Sequence, residues 1–147
     1  MDRLKVLFLC TGNSCRSQMA EGWANALHGD TIEAYSAGID PHGMNQNAVR
    51  VMKESGVDMS HHYAKHVDEL KAVPFDLVVT VCDHANESCP VFSAGTKVVH
   101  VGFDDPPRLA NGAKDEEEAL GHYRRVRDEI KQFVEHFHDR IAEVEKG

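Results

Sequence analysis

The sequence has no long hydrophobic run and little positive charge. Its longest early apolar stretch, Val6 to Leu9, is far shorter than a signal-peptide core or a bilayer span, so we expect a cytoplasmic protein without a membrane segment. Sixteen Lys and Arg oppose 24 Asp and Glu, and the net charge of -8 argues against a nucleic-acid partner. An anionic substrate would have to be attracted by local dipoles and a few well-placed cations.

Repeats, low-complexity tracts and linkers are also absent. A chain of 147 residues, 41% of them hydrophobic, predicts one globular domain that extends over residues 1–147. Structural disulfides are rare in a reducing cytosol. The four cysteines are therefore candidates for chemistry.

Apolar runs and helical patterns alternate along the chain. Strands are predicted at 4–9, 32–36, 77–81 and 98–101, and helices at 19–27, 48–52 and 116–142. This order predicts an α/β fold, a single three-layer domain in which helices flank a four-stranded parallel sheet. Ligands of such sheets bind beyond the carboxyl ends of the strands, and Cys10 and Cys82 both fall at such ends.

The loop after the first strand has the composition of an oxyanion-binding site. It consists of Cys10, Thr11, Gly12, Asn13, Ser14, Cys15, Arg16 and Ser17. A loop that leads into a helix points backbone N–H groups at a tetrahedral anion. Gly12 and Asn13 tolerate positive φ, and the fork of Arg16 can hold two anion oxygens. The same field should lower the pKa of a nucleophilic Cys10, to whose thiolate Ser17 can donate a hydrogen bond.

The spacing C-x5-R alone is a weak pattern. Cys10 could be a small apolar residue that ends a strand, and Arg16 a solvated residue at a helix start. The preceding buried strand, the following helix and the hydroxyl after the arginine favour the functional interpretation. For Cys15, packing is favoured over catalysis.

This loop resembles that of the low-molecular-weight protein tyrosine phosphatases and of the arsenate reductases that share their fold. Further matching segments are YSAGI at 35–39, DLVVTVC at 76–82, GFDDP at 102–106 and RVRDEI at 125–130. Together these stretches are most similar to the thioredoxin-coupled arsenate reductases. A phosphatase has no need of Cys82 or of Cys89 seven residues later.

The resemblance implies a three-cysteine relay. Cys10 attacks arsenate, Cys82 attacks the sulfur of Cys10 as arsenite leaves, and Cys89 attacks Cys82. Thioredoxin would reduce the resulting Cys82–Cys89 pair, and no bound cofactor is implied. Two other readings of these cysteines stay open: a metal site of Cys82, His84 and Cys89, and inert buried thiols.

The spacing of the two resolving cysteines predicts a conformational change. If residues 82–89 are helical in the reduced protein, seven residues at about 1.5 Å separate the two Cα atoms by roughly 10 Å. A disulfide tolerates at most about 6.8 Å. Oxidation should therefore unwind residues 83–89.

In GFDDPP, Asp105 stands where the resembling families carry an acid that protonates the departing oxygen. Ordinary turn chemistry is the alternative for Asp105, and Asp104 is expected to be a structural partner. Pro107 stands where the phosphatases usually carry an aromatic residue, which disfavours a phosphotyrosine substrate.

The resemblance also indicates a potassium site at Asn13, Glu21 and Ser36. Lys65 takes the place of the further acidic ligand, and its ammonium can substitute for the cation. We therefore expect no bound metal. The sequence favours an arsenate reductase, with a phosphatase as the alternative and a thiol redox or metal sensor as a third interpretation.

Overall fold

Four strands form one parallel sheet in a computed structural model that describes residues 3–92 and 94–146. They are β1 Leu4–Cys10, β2 Ile32–Gly38, β3 Leu77–Thr80 and β4 Lys97–His100, and their spatial order is β2-β1-β3-β4. Strand-to-strand connections of this kind carry helices that cover the sheet. The predicted α/β architecture with a four-stranded parallel sheet is confirmed.

The core is built around the central strand β1. Val6, Leu7, Phe8 and Leu9 are fully buried, as expected of a continuous apolar run in a strand covered on both faces. The ring of Phe8 packs edge-on against Phe137, with 6.3 Å between the ring centroids. Burying each of these side chains contributes about 1.5–3 kcal/mol.

The sheet register brings two cysteine-bearing strand ends together. Leu9 of β1 pairs with Thr80 of β3, and the Val81 amide donates to the Leu9 carbonyl at 2.9 Å. Cys10 is the last residue of β1, and Cys82 lies two residues beyond the end of β3. The chain leaves β1 toward β2 on one side and returns to β3 on the other, so this is the switch point where α/β sheets bind ligands.

Six helices and one 3-10 turn complete the described elements. They are α1 Arg16–His28, α2 Gln46–Glu54, the 3-10 turn Val67–Leu70, α3 Asp83–Glu87, α4 Pro106–Ala110, α5 Glu116–Glu135 and α6 Phe137–Lys146. Within the described ranges, none of the helices combines the length and apolarity needed to cross a bilayer.

The prediction of one continuous helix over residues 116–142 is wrong, because two helices, α5 and α6, cover this range. The helical path breaks at His136, whose φ of -109° and ψ of 31° end α5 before α6 begins at Phe137. The break lets the two helices face different partners, because α5 packs against α1 whereas α6 packs against β4. The acidic residues at the start of α5 are explained by capping: Asp115 accepts the Glu118 amide at 2.8 Å.

Candidate active site

The segment after β2 holds the loop 10–17 from outside. Four of its backbone amides donate to four loop carbonyls at 2.8–3.1 Å. The donors are Ile39, Asp40, His42 and Asn45, and the acceptors are Cys10, Thr11, Gly12 and Ser14 respectively. A trans peptide points its N–H opposite to its C=O, so outward carbonyls turn the following amides inward. The loop can therefore present a ring of donors to an anion.

Gly12 and Asn13 serve the loop for different reasons. Asn13 adopts the predicted positive φ, at 49°. Gly12 tolerates a positive φ but does not adopt one. A Cβ on Gly12 would instead lie 2.9 Å from Cδ2 of His42, so the glycine permits the close approach of the segment that holds the loop.

A buried amide network supports the loop from below. Gln18 Nε2 donates to the Asn13 carbonyl and to Asn13 Oδ1, both at 3.0 Å, and to the Tyr63 carbonyl at 2.9 Å. Asn13 Nδ2 donates to Ser17 Oγ at 2.9 Å. The expected hydrogen bond from Ser17 to Cys10 is not formed within the described residues. Ser17 instead fixes Asn13, and Gln18 is a supporting residue that the sequence analysis missed.

Arg16 has a donor to spare. Its Nη1 donates to the Phe103 carbonyl at 3.0 Å, and its Nη2 lies 3.6 Å from Asp105 Oδ1. Its Nε is buried and has no hydrogen-bond partner. A buried donor without a partner costs about 1–3 kcal/mol, and an anion in the loop could satisfy it. Arg16 and Cys10 line a cavity of about 470 Å³ that also contains Asp105.

A hydrogen bond joins the thiols of Cys10 and Cys82 and shifts their pKa values in opposite directions. The hydrogen bond to Cys82 and burial raise the pKa of Cys10, although the positive charge of Arg16 opposes them. The pKa of Cys82 falls to about 5, because its sulfur accepts hydrogen bonds from Cys10, from Thr11 and from the Ala85 amide. The prediction of a lowered pKa for Cys10 is therefore wrong for the anion-free protein. Of the two thiols, Cys82 has the surroundings that favour the thiolate, because its sulfur has three hydrogen-bond donors near it.

The position of Cys82 at a helix start explains part of this preference. Cys82 is the N-cap of α3, and its Sγ accepts from the Ala85 amide at 3.4 Å and contacts Thr11 Oγ1 at 3.3 Å. Helix N-termini favour negative charge. Cys89 lies beyond the other end of α3 and is half-buried, which raises the pKa of its thiol.

The remaining loop cysteine is a packing residue in this geometry. Cys15 is 4% exposed, and burial raises its pKa to about 12. Its thiol stays neutral at physiological pH. This agrees with the interpretation of Cys15 as a wall of the binding loop rather than a nucleophile.

The two aspartates of GFDDPP have different surroundings. Asp104 Oδ2 accepts from Arg125 Nη2 at 3.0 Å, a structural role on the surface. Asp105 is the N-cap of α4, but its side chain makes no capping hydrogen bond. Its carboxylate instead faces Arg16 and the cavity. Asp105 is thus placed to exchange a proton with a bound group.

Lys65 lies among the residues that the resemblance assigned to potassium. Its Nζ donates to the Ser36 carbonyl at 3.1 Å, and Ser36 Oγ donates to Glu21 Oε1 at 2.7 Å. Burial lowers the pKa of Lys65, whereas Glu21 opposes this shift. The Lys65 amide also donates to Asn13 Oδ1 at 3.0 Å. The lysine thus links this polar cluster to the loop.

The alternative metal site does not assemble in the parts of the chain that can be described. Over residues 3–92 and 94–146, no three His, Cys, Asp or Glu side chains come together in a way that could hold an ion.

The fold and the site are those of an enzyme class that binds an oxyanion next to a cysteine thiol. The comparison with known families leads to the same class. Residues 5–146 match the model of the low molecular weight phosphotyrosine protein phosphatases, and the chain belongs to this family. Within it, the chain is 48% identical to an arsenate reductase of Halalkalibacterium halodurans over 137 residues, 93% of this chain and 96% of the relative. It is 49% identical to an arsenate reductase of Bacillus subtilis over 139 residues, 92% of this chain and 98% of the relative.

A solved structure supports the same placement. The crystal structure of an arsenate reductase from Archaeoglobus fulgidus superimposes with a TM-score of 0.69 and 33% identity, and it covers 90% of this chain and 97% of that one.

Proposed function

We propose that this protein reduces arsenate to arsenite with Cys10, Cys82 and Cys89, and that thioredoxin regenerates it. The observation that carries the proposal is the contact of Cys82 with both Cys10 and Thr11 at the anion-binding loop. A second thiol in this position can attack the sulfur of Cys10 and form a disulfide with it. Because the relay requires reduced thiols, we assign the protein to the cytoplasm.

In the first step, Cys10 Sγ attacks arsenic and forms an S–As bond as an As–O bond breaks. The thiol proton of Cys10 passes along its hydrogen bond to Cys82. Asp105 donates a proton to the leaving hydroxyl, which departs as water. Arg16 and the loop amides stabilise the arsenate oxygens.

In the second step, Cys82 must again be a thiolate. Cys82 and Asp105 both line a cavity of about 480 Å³ next to the loop, so the proton that Cys82 took from Cys10 can pass across it to the Asp105 carboxylate, which gave its own proton to the leaving water. The Cys82 thiolate then attacks Cys10 Sγ, an S–S bond forms and the S–As bond breaks. The electron pair of that bond stays on arsenic, which leaves as arsenite.

In the third step, Cys89 Sγ attacks Cys82 Sγ, an S–S bond forms between them and the Cys10–Cys82 bond breaks. The proton of the Cys89 thiol passes to the released Cys10 sulfur, which returns to the thiol. The dithiol of thioredoxin reduces the Cys82–Cys89 disulfide and thereby supplies the two electrons that arsenic received.

The test is arsenate-dependent NADPH oxidation by the wild-type protein with thioredoxin and thioredoxin reductase, beside hydrolysis of p-nitrophenyl phosphate. We expect arsenate turnover that requires thioredoxin. Hydrolysis without arsenate turnover would instead support a phosphatase, for which Cys10, Arg16 and Asp105 suffice. Oxidation of Cys82 and Cys89 by peroxide, with neither activity, would support a sensor.

The rim of the cavity favours a small oxyanion over an aryl phosphate. Its described lining contains His42, Met44, Asn45 and Pro107, and none of the described lining residues is Phe, Tyr or Trp. An aromatic leaving group would therefore find no phenyl, phenol or indole ring to stack on in this lining.

We expect oxidation to unwind α3. Its five residues, Asp83–Glu87, are helical in the reduced protein, where all four cysteines are free. A helical path would leave Cys82 and Cys89 roughly 10 Å apart, too far for a disulfide. Amide hydrogen exchange at residues 83–89 should be faster in the Cys82–Cys89 oxidised form, while exchange in α1 stays unchanged. Equal protection of 83–89 in both forms would contradict this proposal.

A further inference from the structure

We propose that His100 is a positioning residue that fixes the first turn of α3 through Asp83 and so holds Cys82 against Cys10. His100 is the last residue of β4, and none of the steps above uses it. The inference rests on the proposed function only for the role of Cys82 as a nucleophile.

The imidazole of His100 contacts the chain on both sides of the Val81–Cys82 segment. Its Nδ1 lies 2.9 Å from Thr80 Oγ1 and 3.1 Å from the Thr80 carbonyl, and its Nε2 lies 3.1 Å from Asp83 Oδ1. One rigid ring thus joins the last residue of β3 to the first residue of α3.

The chemistry of the three groups fixes the direction of the second contact. A carboxylate only accepts, so the Asp83 contact requires a proton on Nε2. Nδ1 can then accept from the Thr80 hydroxyl in the neutral ring, or donate to the Thr80 carbonyl in the charged ring. The bridge therefore persists in both protonation states of His100.

Gly102 leaves room for this bridge. A Cβ at Gly102 would lie 3.2 Å from His100 Nε2 and 3.9 Å from Asp83 Oδ1. Any side chain there would crowd the ring just where it meets the carboxylate.

The bridge acts on Cys82 through the helix turn. Asp83 begins the turn whose Ala85 amide donates to Cys82 Sγ. If this turn frays, the sulfur loses a donor that stabilises its thiolate. The Asp83 side chain is 93% exposed, so its contact with His100 has the strength of a solvent-exposed ion pair. Loss of the contact should therefore raise the population of the frayed turn by about two- to five-fold.

The experiment compares Asp83→Ala, His100→Ala and the double variant with wild type in the reduced full-length protein, because alanine removes the acceptor or the donor of the contact outright. The readouts are hydrogen exchange at residues 84–87 and the pH dependence of Cys82 alkylation by iodoacetamide, located by peptide mass spectrometry. We expect exchange to rise about two- to five-fold and the alkylation midpoint to rise by about 0.3–0.7 pH unit in each single variant. The double variant should be no worse than the more affected single variant, because one contact is lost in all three.

His84→Ala and Glu87→Ala are matched controls, since both truncate exposed side chains of α3 itself. Neither should change exchange or alkylation. Wild-type values in both single variants, or additive effects in the double variant, would overturn the proposal. Neither readout uses arsenate, so the result stands apart from the test of arsenate reduction.

Discussion

Replacing Cys89 with serine should stop arsenate turnover after one cycle. The variant can still bind arsenate, form the Cys10 adduct and release one equivalent of arsenite when Cys82 attacks. The Cys10–Cys82 disulfide then has no internal thiol to resolve it. We expect the steady-state rate with thioredoxin to fall by at least about a hundred-fold, because a member of a covalent relay has no substitute in the site.

The measurement pairs NADPH oxidation with the amount of arsenite formed per protein before turnover stops. Peptide mass spectrometry should find the Cys10–Cys82 disulfide in the stalled protein. Ser88→Ala is the matched control, because it changes an exposed neighbour of Cys89 and should keep full turnover. Hydrolysis of p-nitrophenyl phosphate should survive in both variants. Undiminished arsenate turnover by Cys89→Ser would refute the relay.

The neighbouring strand ends could be predicted because hydrophobic patterns report burial. A continuous apolar run such as Val6 to Leu9 is typical of a strand covered on both faces, and such strands are common in parallel sheets. Because the strands are parallel, the cysteine that ends β1 and the one that follows β3 then lie at the same edge of the sheet. The loop itself was predictable because its chemistry is local in sequence.

The support of the loop could not be predicted, because its partners are distant in sequence. The Gln18 amide bonds to Tyr63, 45 residues away, and Lys65 bonds to Asn13, 52 residues away. Such contacts leave no periodic signal. The break at His136 was missed for a related reason, since the apolar pattern continues across it while the packing partner changes from α1 to β4.

The relative pKa values of Cys10 and Cys82 could not be predicted from the sequence either. The prediction for Cys10 counted the loop dipoles and Arg16, which do favour a thiolate. It omitted the second thiol: the hydrogen bond between the two sulfurs raises the pKa of Cys10 and lowers that of Cys82, which also accepts from Thr11 and from the Ala85 amide. Two interacting thiols titrate as a pair, so the charge of one depends on the distance to the other.

Replacing Arg16 with lysine should weaken oxyanion binding by about a hundred-fold or more. The guanidinium keeps one nitrogen on the Phe103 carbonyl and another near Asp105, while its buried Nε has no partner among the described residues. A lysine ammonium is a point charge that cannot hold the loop wall and the anion at once. Loss of a charge-assisted, two-point contact costs roughly 2–5 kcal/mol, and each factor of ten corresponds to about 1.4 kcal/mol.

Two measurements quantify the loss of oxyanion binding in Arg16→Lys. They are kcat/KM for arsenate in the thioredoxin-coupled assay and the inhibition constant of phosphate. Both should change by a similar factor if Arg16 binds the ground-state anion. A larger fall in kcat/KM would show that the guanidinium contacts the transition state more strongly. Arg108→Lys is the matched control, because Arg108 is exposed on α4 beside the same site. Values for Arg16→Lys within about three-fold of wild type would mean that a single positive charge is sufficient and that the guanidinium fork is not required.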